Sequence, residues 1–290
     1  MIMQCHENEH IQVDELKICY TATPDDLNEL MSIEIGSSMV LYGYRFCRSI
    51  SDRFRYYFEV WENDEQVAWL KYGLYTDLST AKHFIYFKIN NQVLYNPDQL
   101  NNTLKLPDMF GFVFNNYTAI DLALDSNVNF TSLIKRMIRN KAVTTIINGK
   151  AIRDRKQVLL GVSFQYSTSL DRLKHAAITI KQKKAISNKK NGIVVQAYDK
   201  KAEVEQNSDK QYIIDFYGQP KRLYRLEVRL HYQELKDYFS KVNGEPIIKS
   251  MSDQDLLQEM FYYHLSAVLR FTQGRKKLDW QTLIKCNGRV

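Results

Sequence analysis

The sequence predicts an α+β fold: an antiparallel β-sheet core of several hairpins, helices packed on one face, and a C-terminal helical segment. Three observations point there. Short stretches of alternating apolar and polar residues recur with Asn- or Gly-bearing turns between them, as in RYYFEVWE-ND-EQVAWLKY. The 3.6-residue spacing of a long helix appears clearly only near the end, over Ser252–Phe271. The chain is 44% apolar and 25% charged, the balance of a globular protein with a sizeable core. The boundary falls at residues 241–251, giving an α+β domain over 1–240 and a helical segment over 241–290.

Along the chain, HIQVDELKICYTA reads as a strand, and Thr23-Pro24-Asp25-Asp26 as a helix start with Thr23 capping. Arg55–Glu62 and Gln66–Tyr72 form an aromatic hairpin around Asn63-Asp64-Glu65. A second hairpin is expected from FIYFKI, Asn90-Asn91 and QVLY, since two asparagines tolerate the positive φ of a tight turn. Phe110–Asn115 is a short strand or a connector. Thr118–Asp125 is a strand with Asp121, Ala123 and Asp125 on one face and Ile120, Leu122 and Leu124 on the other. Its two aspartates, four residues and so roughly 13 Å apart at Cα, offer oxygen ligands of the kind a hard divalent cation takes. Asp125 serves equally well as the strand's polar end. Asp121, inside an apolar run, needs a partner or an ion.

A basic helix, SLIKRMIRN, capped by Asn129 or Thr131, follows; its Lys135, Arg136 and Arg139 can rest on phosphates. AVTTIINGK, QVLLGVSFQYS and AITIKQKK read as strands, with SLDRLKHA as a short helix between the last two. The final strand pairs with IVVQAYDKKAEVE across a turn bearing Lys181, Lys183, Lys184, Lys189 and Lys190, a cationic finger for backbone phosphates. Alternation in IVVQAYDKKAEVE sets Gln196, Tyr198 and Lys200 on one face. In Tyr224–His231, Arg225, Glu227, Arg229 and His231 share a face; it reads first as a solvated stripe with cross-strand ion pairs, or else as the floor of an active site. YQELKDYFSKV is a short amphipathic helix, and Ser252 with Asp255 caps the long one.

Charge narrows the partners. The net charge is +7, but residues 1–34 carry eight acids and one base, whereas residues 135–201 carry 17 Lys or Arg and three acids. A single-sign field of that size fits a polyanion, most simply nucleic acid. The basic residues are not confined to one amphipathic face, which disfavours a membrane surface, and no run of about 18 apolar residues suggests a spanning helix. Four dispersed cysteines without a CxxC pair fit a reducing compartment rather than a zinc site. The opening MIMQCHENEHIQVDE has no basic leader or apolar core, so no secretory signal is expected. No paired-histidine metal motif, GxxxxGK[ST] loop or GxSxG elbow occurs, so P-loop ATP hydrolysis and serine-hydrolase chemistry have no support.

The order of IDLALD, a basic hairpin, IVVQAYDKKAE and YRLEVRL resembles the replication initiation factor family, the rolling-circle initiators of small plasmids and filamentous-type phages with their related transposon relaxases. The resemblance spans roughly residues 50–235. It departs at Ala119, where an arginine is common, and in a short tail after His231. It implies a metal-dependent nicking enzyme: a tyrosine attacks a phosphodiester of single-stranded or cruciform origin DNA, leaving a 5′-phosphotyrosine and a 3′-OH primer. On that resemblance Tyr198 is the first nucleophile, assisted by Lys200, with Tyr166 and Tyr224 as fallbacks. Asp121 and Glu227, then Asp125, would hold Mg²⁺ or Mn²⁺, with Glu203 as a helper. A host helicase or polymerase and a second copy of the chain are the further partners implied, in the cytoplasm of a bacterial host. The rivals are a non-catalytic DNA- or RNA-binding protein of a mobile element or phage, and an assembly protein that neutralises packaged nucleic acid.

Overall fold

The structure is a computed structural model that describes residues 10–75, 83–152, 162–165, 177–182, 192–242 and 253–287. Two compact units emerge: residues 14–120, here the N-terminal unit, and residues 1–13 with 121–290, the C-terminal unit. Strands β1 (Ile11–Ala22) and β7 (Val113–Ser126) each contribute residues to both.

In the N-terminal unit, β2 (Ser38–Leu41), β3 (Tyr44–Arg48), β4 (Phe54–Glu62), β5 (Glu65–Leu74) and β6 (His83–Ile89) join β1 in the order β1-β6-β5-β4-β3-β2. All these pairings are antiparallel. The β4–β5 hairpin closes on Asn63-Asp64, both with positive φ (47° and 64°), the conformation that asparagine and aspartate accept most readily after glycine. Alternation buries Leu16, Ile18, Tyr20, Phe58, Val60, Ala68, Leu70, Ile85 and Phe87 on one face. Phe110 meets that face through Phe46, ring centroids 5.5 Å apart edge to face. Thr23 and Asp26 cap each other reciprocally ahead of a 3₁₀ turn (Asp25–Leu27) and helix α1 (Asn28–Ser32).

The second expected hairpin does not form. Asn90 turns the chain into a 3₁₀ helix over Val93–Tyr95, whose three side chains are all buried. Asn96 then caps helix α2 (Pro97–Met109), accepting from the Gln99 N–H, with Pro97 at the first helical position. Burial of Val93, Leu94 and Tyr95 together is what a helical turn achieves and an alternating strand does not.

In the C-terminal unit the main sheet runs β10 (Val162–Gln165), β11 (Ala177–Lys181), β12 (Val194–Asp199), β13 (Tyr224–His231), then β7. The expected pairing of AITIK with the Tyr198 strand is present and antiparallel, Thr179 opposite Gln196. Helix α3 (Phe130–Arg139) is capped by Asn129, which accepts from the Ser132 N–H. It turns Phe130, Leu133, Ile134 and Met137 inward and packs against β12 and β13. Strand β12 ends at Asp199, whose side chain accepts from the Ala202 N–H and starts helix α4 (Lys200–Asn207). Lys200 therefore opens a helix instead of continuing the strand. Helices α5 (Gln211–Phe216) and α6 (Tyr232–Lys241) follow.

Helix α7 (Gln254–Val268) also packs on β12 and β13 and is capped by Asp253 rather than Ser252. It ends three residues before the expected Phe271. Leu269–Gln273 becomes a strand, because it pairs with Thr144–Ile147 in a second, four-stranded sheet completed by Lys150–Ala151 and Lys276–Leu278. A last helix, α8 (Trp280–Lys285), follows. The expected SLDRLKHA helix lies outside the described residues, as do Lys183, Lys184, Lys189, Lys190 and Tyr166. Among the described residues no helix is long and apolar enough to cross a membrane.

Candidate active site

The polar stripe of β13 is buried at Arg225 and Glu227 rather than solvated along its length. Arg225 is fully buried and Glu227 is 4% exposed, while Arg229 keeps 41% of its side chain open. The reason is the neighbour on each side. On β12, Tyr198 stands opposite Arg225 and Gln196 opposite Glu227, so these side chains share one face. On β7, Asp125 and Asp121 meet the same stripe. Arg225 grips Asp125 through two bonds, Nε to Oδ1 at 2.7 Å and a second guanidinium nitrogen to Oδ2 at 2.6 Å. Arg229 Nε donates to Asp121 Oδ2 at 2.7 Å, and its Nη2 donates to Glu227 Oε1 at 3.2 Å. Aspartates four apart on β7 thus meet arginines four apart on β13 as two parallel rungs. Ala123, the small residue between the aspartates, falls level with Glu227.

Tyr198, half-buried, donates its hydroxyl to Glu227 Oε2 at 2.9 Å. Lys200 Nζ lies 5.9 Å from the centre of the Tyr198 ring and pairs with Glu203 at 2.8 Å, although it opens a helix. A buried lysine is tolerable only with such a counter-charge. His10, just before β1, sits within the electrostatic reach of Asp125; burial pushes its imidazole down, opposed by the Gln12 bond and by Asp125. Tyr224, opposite Asp199, falls by alternation on the other face of β13.

From the sequence, Arg225 and Arg229 belong to a stripe of cross-strand ion pairs or an active-site floor with no named partners, and His10 has no assigned role. A signal for the arginines was present: the four-residue spacing of Arg225 and Arg229 matches that of Asp121 and Asp125. It becomes legible only once β7 is known to lie beside β13.

Asp125 is fully committed to Arg225, and Asp121 and Glu227 share Arg229. Among the described residues no three His, Cys, Asp or Glu side chains come together as a metal-binding group. As arranged, the three acids do not fit a divalent cation: the guanidinium of Arg229 occupies the bridging position between Asp121 and Glu227 that an ion would take.

Three basic residues lie on α3. Lys135, Arg136 and Arg139 line an open concavity of about 490 Å³ with Ser132 and Asn140. Arg136 donates to the Asn287 carbonyl and, at 3.1 Å, to its side-chain oxygen. Lys181 ends β11, its carbonyl accepting from the Asn148 side chain at 3.0 Å.

An antiparallel sheet with a tyrosine, acids and arginines on one face of its central strands, backed by helices, defines the fold class: the α+β one that the sequence predicts. The chain is similar in fold to the structure of a rolling circle replication initiator protein from Geobacillus stearothermophilus, with a TM-score of 0.51 and 12% identity over 97% of each chain. No protein-family model matches the chain. No curated protein matches it either.

Proposed function

We propose that this chain is a rolling-circle replication initiator that nicks DNA through Tyr198. The observation that carries the reading is the 2.9 Å bond from the Tyr198 hydroxyl to Glu227, with Arg229 on the other oxygen of the same carboxylate. Unperturbed phenol ionises near pH ~10, so a tyrosine nucleophile needs a base. Glu227 is placed to take that proton. The phenolate oxygen then bonds to phosphorus, the P–O3′ bond breaks, and the departing 3′ oxygen picks up a proton. The products are a 5′-phosphotyrosine and a free 3′-OH. Arg229, partly exposed and fixed by Asp121, supplies positive charge for the phosphate oxygens as the transition state forms. Asp125 and Arg225 hold β7 against β13, and the Lys200 ammonium adds positive charge beside the ring.

A Mg²⁺ or Mn²⁺ ion would supply Lewis-acid polarisation of the phosphate, and Asp121 and Glu227 could receive it only after Arg229 moved away. The concavity on α3 is the proposed rest for the DNA backbone.

The competing reading is a nucleic-acid binder without chemistry. The pairing of Asp121 and Asp125 with arginines favours it, because a closed ionic network also serves a purely structural end. Single-stranded oligonucleotides tiled across the DNA flanking the coding sequence, incubated with Mg²⁺, Mn²⁺ or a chelator, separate the two. A covalent protein–DNA band lost in Tyr198→Phe supports nicking. Salt-sensitive binding with no band under any of the three conditions leaves the binder.

A further inference from the structure

The open face of the N-terminal sheet carries a pattern that the nicking site does not use. Cross-strand register sets Tyr57 opposite Lys71 and Lys71 opposite Tyr86. The next row sets Trp69 opposite Lys88 and Lys88 opposite Lys17. Aromatic rings and ammonium groups therefore alternate along β5 and β6 and across the Tyr57-Lys71-Tyr86 row, while the Trp69 row runs from Glu59 through Trp69 to the Lys88-Lys17 pair. Lys71 Nζ lies 4.8 Å from the Tyr57 ring centre, and Lys88 Nζ 5.1 Å from that of Trp69. The opposite face of the same strands is sealed core, with Ala68, Leu70 and Phe87 no more than 1% exposed. On the open face Lys17 and Lys88 expose 38% and 39% of their side chains, and Tyr57, Trp69, Lys71 and Tyr86 are half-buried.

We propose that this face is a platform for single-stranded nucleic acid. Bases would stack on Trp69, Tyr57 and Tyr86, and the three lysines would meet the phosphates between them. Adjacent rows lie roughly 7 Å apart along the strands and neighbouring strands roughly 5 Å apart, distances that an extended single strand can follow. A duplex hides its base faces, so stacked rings on a flat sheet gain nothing from it; an unpaired strand offers a π-face at every base. The lysines are crowded: burial, and then the like charges of Lys88, Lys17 and Arg53, push the Lys71 ammonium down. A polyanion relieves that repulsion. Glu15 balances part of it, at 2.5 Å from Lys17 and 3.6 Å from Lys88, and a phosphate would compete with it for Lys88. The inference shares with the nicking proposal only the class of partner.

The test is fluorescence anisotropy on the full chain, using a labelled oligothymidine of about twenty nucleotides and an equal length of duplex. Trp69→Leu should weaken oligothymidine binding roughly five- to a hundredfold and leave duplex binding within about twofold. Lys71→Gln with Lys88→Gln should flatten the salt dependence by about 0.7 per lysine engaged. Circular dichroism confirms that each variant is folded. Photocrosslinking of unmodified protein to a bromodeoxyuridine strand should map to Trp69, Tyr57 or Tyr86. Wild-type affinity and salt slope in folded variants would overturn the platform, as would crosslinks confined to other segments, or binding to anionic vesicles in place of the oligonucleotide. The covalent band is scored separately on the unmodified protein, so absence of any band with oligothymidine binding intact refutes nicking and leaves the platform standing.

Discussion

Removing one charge from the fully buried rung gives the sharpest test of the C-terminal unit. Asp125 and Arg225 expose none of their side chains and are joined by two short bonds, at 2.7 and 2.6 Å. Asp125→Asn keeps the shape but leaves the guanidinium without its counter-charge. Its amide oxygen can accept one of the two bonds; its NH₂ faces the other donor. Each hydrogen bond to a charged group contributes about 1.5–3 kcal/mol, and an uncompensated buried charge costs about 3–5 kcal/mol in total. The expected loss is therefore about 3–4 kcal/mol, which in a unit of this size lowers the melting temperature by roughly 6–16 °C. Urea unfolding should be followed by the fluorescence of Trp280, which lies in the C-terminal unit, whereas Trp61 and Trp69 lie in the other. Phenylalanine at those two positions isolates the signal and guards against treating two units as one transition. Asp125→Leu combined with Arg225→Met should recover most of the stability, since an apolar pair of similar size is often neutral there. A loss below about 1 kcal/mol in Asp125→Asn would refute the buried-rung argument.

Other expectations follow from the same geometry. Arg229→Gln opens the bridging position between Asp121 and Glu227, so Mn²⁺ titrated against the variant and read by electron paramagnetic resonance should bind more tightly than to wild type; equal binding would mean that the guanidinium is not what fills that position. His264 is 3% exposed, and burial, with Lys241's charge adding, pushes its imidazole down to about 4 from 6.5. The fold keeps it neutral while the unfolded chain takes up a proton below pH 6.5. Stability is thus complete above that pH and falls by up to about 1.4 kcal/mol per unit toward pH 4, about 3 kcal/mol in all. His264→Leu should flatten that slope in urea midpoints, and an unchanged slope would point to other groups. Asn129→Ala removes the cap of α3 and should cost about 1 kcal/mol, measured by thermal unfolding.

Local signals were legible wherever the answer depends on neighbours in sequence. The Asn63-Asp64 turn, the alternation of Thr118–Asp125 and the cap at Asn129 all hold their predicted roles. Helix α2 escaped notice because PDQLNNTLKLPDM carries few apolar residues; only Asn96-Pro97 announces it. The stripe from Arg225 to His231 has the expected cross-strand ion pairs but not the expected solvation, for a different reason. Alternation says which residues share a face but not whether that face meets water, and here strand order decides. Lys200 was assigned to the right neighbourhood through the wrong element, since a single capping aspartate ends the strand one residue earlier.

The rung between Asp125 and Arg225 joins residues 100 positions apart, and that between Asp121 and Arg229 joins residues 108 apart. A nascent chain that has not yet released residue 225 has the tyrosine and both aspartates but neither arginine nor Glu227. Closure of so long a loop must precede any ionic gain, which delays this part of the sheet during folding. A product truncated before β13 would therefore carry Tyr198 with none of the side chains that hold the stripe together, and β12 would lose its partner on that side.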